Sequence, residues 1–124
     1  MHQFDLKDRM AIITGGAQGF GLNIAKKFLN SGANVIIWDI DEKELQNAVK
    51  EINNQKLTYN LVDVSNFEEV NKAVIEINKS SNIDILVNNA GITGPTAELW
   101  NYSINDWNKV VEINLNGTFN CCKS

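Results

Sequence analysis

An α/β fold, doubly wound on a parallel sheet of strand order 3-2-1-4, is predicted by three observations. Apolar runs alternate with amphipathic helical patterns along the 124 residues. The run Met10-Ala11-Ile12-Ile13 leads directly into Thr14-Gly15-Gly16-Ala17-Gln18-Gly19-Phe20-Gly21, a glycine-rich passage from strand to helix. Residues able to do chemistry recur where each strand pattern ends. The order β-α-β-α-β-α-β-α implies right-handed crossovers, parallel strands and helices on both faces. A ligand crevice is then expected at the carboxyl ends of strands one and four, where the winding reverses.

Strands are expected at 10–13, 35–38, 57–62 and 83–87. Three of them are short continuous apolar runs, as for strands covered on both faces. The first helix is expected from about Gly21 to Ser31-Gly32, with Gly32 in the usual terminal glycine position. Leu45, Ala48, Val49 and Ile52 form the apolar stripe of a second helix behind Asp41-Glu42, and Val70, Ala73, Val74 and Ile77 repeat that spacing in a third. Ser65-Asn66-Phe67-Glu68 reads as a capping box, with Ser65 as N-cap and Glu68 reaching back. Ser103-Ile104-Asn105-Asp106 starts a fourth helix that continues through Trp107, Val110 and Val111. Without an internal repeat or linker, residues 1–124 read as one domain.

Composition excludes several classes. A hydrophobic content of 44% and a charged content of 21% are those of a globular protein. The formal net charge of -4 leaves no basic patch for nucleic acid. No apolar stretch reaches the length of a membrane span, and Met1-His2-Gln3-Phe4-Asp5-Leu6-Lys7 lacks the apolar core of a signal peptide, so a cytoplasmic location is expected. Cys121 and Cys122 are adjacent, which suits neither a disulfide framework nor zinc, and they read as small apolar helix residues. His2 is the only histidine and is given no role, so neither a histidine-based triad nor a metal site is expected.

Four segments carry chemistry. Glycines in the first turn permit positive φ and remove the Cβ atoms that would hold a ligand off the backbone. The helix N-terminus behind them makes an anion site suited to a pyrophosphate, although a plain strand-to-helix turn has the same composition. Asp39 lies eighteen positions past Gly21 at the end of strand two, where a carboxylate accepts the ribose hydroxyls of adenosine. It could also cap the second helix, but Asp41 fills that role. A carboxylate there opposes a 2′-phosphate, since two unit charges about 4 Å apart repel by roughly 4 kcal/mol at an effective dielectric of 20. Asp63 ends strand three and could accept from an adenine amino group with Val64 on the ring, or it could simply serve a helix dipole. Asn88-Asn89-Ala90-Gly91 after strand four offers amides and open backbone to a ligand, or ordinary turn chemistry.

Thr14-Gly15-x-x-x-Gly19-x-Gly21, Asp39, Asp63-Val64, Asn88-Asn89-Ala90-Gly91 and Asn114 in Ile113-Asn114-Leu115-Asn116-Gly117 occur in one order. This resembles the short-chain dehydrogenase/reductase family over essentially the whole chain, most nearly its 3-oxoacyl-carrier-protein reductase and sugar dehydrogenase types. The resemblance implies a Rossmann-type sheet, NAD as cofactor and a small-molecule carbonyl or alcohol as substrate. It assigns Gly15, Gln18, Gly19, Phe20 and Gly21 to the pyrophosphate, Asp39 to ribose, and Asp63 with Val64 to adenine. Asn88 would brace the sheet, and Asn89, Ala90 and Gly91 would line the cofactor. Asn114 matches the family's catalytic Asn, which kinks its helix and holds a water in the proton relay. The parent protein is expected to be a homo-oligomer. A non-catalytic NAD-binding module is the alternative; a methyltransferase would fit Asp39 but not Asn88-Asn89-Ala90-Gly91 or Asn114.

The family's catalytic Ser and Tyr-x-x-x-Lys are not found here: Tyr59 and Tyr102 are followed four positions on by Asp63 and Asp106. The chain is therefore expected to be an amino-terminal half, with a truncated sheet of about four strands. Residues 1–124 made alone should show no NAD-dependent alcohol oxidation, and they should self-associate through a bare sheet edge. Sedimentation, near-ultraviolet circular dichroism and an oxidation assay check this. A monodisperse, cooperatively folded monomer with turnover above blank contradicts it.

Overall fold

Alternation of apolar side chains across β1 (Met10–Thr14) and β2 (Asn34–Asp39) decides the layering of the molecule. Ile13, Val35 and Ile37 face one way and meet Ala25 and Leu29 of α1 (Gly19–Asn30) and Leu45 and Ala48 of α2 (Glu42–Ile52). Ile12, Ile36 and Trp38 face the other way, against Val70 and Val74 of α3 (Phe67–Asn78) and Cys121. The computed structural model describes residues 4–124; His2 lies outside the described residues.

β3 (Leu57–Leu61) pairs with β2, and β4 (Ile85–Val87) pairs with β1, all parallel, in the order β3-β2-β1-β4. That is the doubly wound order expected. After β4 the chain makes a single 3-10 turn at Leu99–Asn101, then α4 (Ile104–Val111), a π-helical segment Glu112–Asn116, and α5 (Gly117–Lys123). Asn114 lies within this π segment.

Several boundaries differ from expectation, β1 and β2 running past the expected 10–13 and 35–38. α1 begins at Gly19 rather than Gly21, and β3 and β4 are shorter than 57–62 and 83–87. The third helix is also capped differently. Asn66, not Ser65, is the N-cap, with its Oδ1 accepting from the N–H groups of Glu68 (3.1 Å) and Glu69 (3.2 Å). Ser65 instead donates its N–H (2.9 Å) and hydroxyl (2.6 Å) to Asp63 Oδ1. A charged acceptor two residues back outcompetes the helix N–H groups for that hydroxyl, and the cap passes to the next polar residue. Asp41 and Ser103 cap α2 and α4 as expected.

Cys121 and Cys122 are both free thiols on α5. Burial, then the neighbouring Cys122, pushes the Cys121 thiol up to about 11, in keeping with a packing role. Among the described residues no acidic, cysteine or histidine cluster could hold a metal ion, and no helix is long and apolar enough to cross a membrane. The outer faces of α4 and α5 expose Ile104, Trp107 and Phe119.

Candidate functional site

The carboxyl ends of the four strands open into one crevice of about 770 Å³, inside the range of roughly 300–1,000 Å³ usual for small-molecule and cofactor sites. Gly15, Gln18 and Phe20 line its floor, Asp39, Asp63 and Val64 one wall, and Asn89, Ala90 and Gly91 the other. Nine residues singled out from sequence thus meet in one place. Gly19, Gly21 and Asn114 do not line the crevice.

The floor is the first turn of α1. Every other long helix has a side-chain N-cap and an acidic residue in its first turn: Asp41 for α2, Asn66 for α3, Ser103 for α4. α1 has neither, since Gln18 sits at its N-cap position without a capping bond. The N–H groups of Gly19, Phe20 and Gly21 have no partner among the described residues. Gly19 has φ +59°, and a Cβ built on it meets nothing within 4 Å. Gly21 works differently. A Cβ there would collide with the Gly15 carbonyl and stand 2.6 Å from Asn89 Nδ2. Gly21 lets the helix close on the turn, whereas Gly19 leaves space in front of free N–H groups.

The floor is tied to the far wall by Thr14, which is 1% exposed. Its Oγ1 accepts from the N–H groups of Asn89 (3.0 Å) and Ala90 (2.9 Å) and donates to the Val87 carbonyl (3.4 Å). Asn89 answers with Nδ2, donating to the carbonyls of Thr14 (3.2 Å) and Gly15 (3.1 Å). The bracing expected of Asn88 therefore falls to Asn89; Asn88 is exposed and its Nδ2 donates to Cys122 Sγ (3.4 Å).

Asp39 joins β2 to the floor. Its Oδ2 accepts from Ala17 N–H (3.3 Å), and its Oδ1 accepts from Ile40 N–H (2.8 Å) and Asp41 N–H (3.3 Å). Three backbone donors fix the carboxylate at the rim, half-exposed to the crevice. Asp63 uses Oδ1 for Ser65, while its Oδ2 and the Val64 N–H have no partner among the described residues. The Val64 side chain is buried, with Cγ2 packed against Gly117.

Asn114 stands behind the wall rather than in it. Its Oδ1 accepts from Ile92 N–H and its Nδ2 donates to the Ile92 carbonyl, both at 2.8 Å, so one side chain pairs with the loop after β4 as a strand would. The π segment presents it: widening the helix by one residue per turn aims Asn114 at that loop. Sequence reasoning missed the anchoring roles of Thr14, Glu69 and Asn120. Asn120 is 8% exposed and donates from Nδ2 to the Val64 carbonyl (2.9 Å). An amide amid the apolar positions of the last helix was the available signal.

The family model described as short chain dehydrogenase matches residues 9–124. The chain belongs to that family. It is 37% identical over 123 residues to the 3-oxoacyl-acyl-carrier-protein reductase of Chlamydia muridarum, covering 96% of this chain and 49% of that protein. It is 35% identical over 114 residues to the 2-dehydro-3-deoxy-L-rhamnonate dehydrogenase (NAD(+)) of a Sphingomonas species, covering 91% and 45%. The crystal structure of the 3-ketoacyl-acyl-carrier-protein reductase of Brucella melitensis, complexed with NADH, superposes with a TM-score of 0.90 at 31% identity, covering 96% of this chain and 49% of that one. The chain spans about half the length of the curated relatives it matches.

Because Thr14 serves three backbone groups at once, Thr14→Val should be far more costly than loss of one hydroxyl. Two N–H groups lose their acceptor, for a loss of about 2 kcal/mol or more. Denaturant unfolding of the full-length protein measures it; an unchanged midpoint would show that the turn holds without Thr14.

Proposed function

We propose that residues 1–124 are the dinucleotide-binding part of an oxidoreductase that uses NAD to move a hydride between the nicotinamide and a small-molecule carbonyl or secondary alcohol. The observation that carries this reading is the pairing of an open, uncapped helix N-terminus with a fixed carboxylate across one crevice. The first suits a pyrophosphate, the second a ribose diol. The residues present fit NAD: Gly19 leaves space where backbone must approach a phosphate, and Asp39 has no Lys or Arg at the neighbouring positions for a 2′-phosphate. When bound, NAD supplies the hydride acceptor.

The remaining roles follow from position. Gly15, Gln18, Gly19 and Phe20 would hold the pyrophosphate, with Gly21 supporting the turn from below. Asp63 Oδ2 and the Val64 N–H, an acceptor beside a donor, match the amino group and ring nitrogen on the edge of adenine. Asn89, Ala90 and Gly91 would flank the nicotinamide half. Asn114 would hold the loop through Ile92 and keep its helix widened beside the reacting end. Tyr59 and Tyr102 lack the Lys four positions on, so the part carried by these residues is binding rather than proton transfer. The relatives named above act on a 3-oxoacyl carrier protein and on a sugar acid, and we take the substrate to belong to one of those two classes. Use in the cytoplasm as a homo-oligomer completes the proposal, with the exposed apolar face of α4 and α5 as support for association.

Two substitutions in the full-length protein test it. Asp39→Ala should raise the NAD dissociation constant roughly tenfold to a hundredfold, the worth of hydrogen bonds to a charged group, and narrow the preference over NADP. Equal kcat/KM values for NAD and NADP in the unaltered enzyme would refute the ribose assignment. Gly19→Val should abolish NAD binding while the protein still folds, because the side chain enters open space at a backbone geometry costing only about 1–2 kcal/mol. Calorimetric titration showing unchanged affinity in the folded variant would remove Gly19 from the phosphate site.

A further inference from the structure

The Asp63-Val64-Ser65 turn is held by groups that the binding reading does not use. Glu69 Oε2, from the first turn of α3, accepts the Asp63 N–H at 2.8 Å. Asn120 Nδ2, from α5, donates to the Val64 carbonyl at 2.9 Å. Gly117 backs the Val64 side chain, and Ser65 occupies Asp63 Oδ1. The peptide joining Asp63 to Val64 is thus gripped on either side, one hydrogen bond before it and one after. What stays free is Asp63 Oδ2 and the Val64 N–H, which have no partner among the described residues, and both residues line the crevice.

We propose that Glu69 and Asn120 are positioning residues that set this acceptor–donor pair for adenine, and so determine nucleobase selectivity without touching the cofactor. The proposal rests on the adenine reading of Asp63 and Val64. Adenine presents an amino donor and a ring-nitrogen acceptor on one edge. Hypoxanthine presents a carbonyl acceptor and an N–H donor at the same two positions, so it meets acceptor with acceptor and donor with donor. A turn held rigidly keeps both groups aimed at adenine, and a turn free to rotate its peptide loses part of that match while gaining none with hypoxanthine, since a carboxylate stays an acceptor in any orientation. Glu69 is exposed and contributes no apolar side chain to the core, so removing its carboxylate should leave the fold intact. Asn120 is buried and its removal tests the other grip.

The experiment uses the full-length protein and measures dissociation constants for NADH and for the reduced nicotinamide hypoxanthine dinucleotide by fluorescence titration. The expected result is a preference for NADH that falls roughly three- to tenfold in Glu69→Ala and in Asn120→Leu, the scale of one hydrogen bond each. Affinity for the hypoxanthine analogue should stay unchanged. Glu69→Gln keeps an acceptor at Oε1 and should restore the preference. A purely structural role would instead weaken both dinucleotides equally, and that outcome overturns the proposal. Full preference in Glu69→Ala overturns it as well, whether or not Asn120→Leu folds. Asp63→Asn separates the two levels. If it leaves the preference intact, the adenine reading fails and this proposal with it. If it abolishes the preference while Glu69→Ala does not, only the positioning role fails.

Discussion

Two parallel strands that diverge strip each other's backbone of partners, and burial makes that loss expensive. β1 and β4 diverge in this way just past Thr14 and Val87, because the chain must turn toward opposite faces of the sheet there. One hydroxyl and one amide supply what the separating strands lose. Thr14 Oγ1 takes the N–H groups of the departing Asn89 and Ala90, and Asn89 Nδ2 takes the carbonyls of Thr14 and Gly15. The strands can therefore part without orphaning these groups, and the floor and the β4 side of the crevice take their relative position from that junction.

Each wall is then pinned from a distance in sequence. The loop after β4 is gripped by Asn114, twenty-two positions on, and the turn after β3 by Asn120, fifty-six positions on. Both amides come from one continuous helical stretch interrupted by a π segment. That stretch works as a bracket across the crevice: its first anchor holds the β4 side, and its second holds the β3 side. The glycine turn is tied in as well: Gly21 lets α1 seat directly on Gly15, Asn89 Nδ2 donates to the Gly15 carbonyl, and Asp39 Oδ2 accepts the Ala17 N–H.

Much of this was legible in the chain. Continuous apolar runs such as Val35 to Trp38 admit few readings other than a doubly covered strand, and the glycine spacing after Thr14 marks a turn whatever surrounds it. What escaped was the choice among neighbouring polar residues. Ser65 and Asn66 are equally good caps on propensity, and the decision turned on Asp63 Oδ1 capturing the Ser65 hydroxyl, a contact with no period to betray it. Asn88 and Asn89 are chemically identical. Only the path of the chain past Val87 decides which of them reaches Thr14. Glu69 was invisible for a related reason: its partner is a backbone atom, which leaves no mark on the sequence, whereas Asn120 showed only as an amide among apolar positions.

The widened helical segment also governs how this stretch of chain can change length over evolutionary time. A π turn carries one residue more than an α turn, and each residue of an α-helix advances about 100° around the axis. Deleting a single residue between Glu112 and Asn116 would let the stretch close into ordinary α turns. The residues that follow would keep nearly the same angular position, so Asn120 and Gly117 would stay on Val64, but the widened turn that aims Asn114 at Ile92 would be lost. The exposed loop between Gly91 and Leu99 carries no comparable register. Drift in length should therefore accumulate in that loop, while the spacing from Asn114 to Asn120 stays constant to the residue.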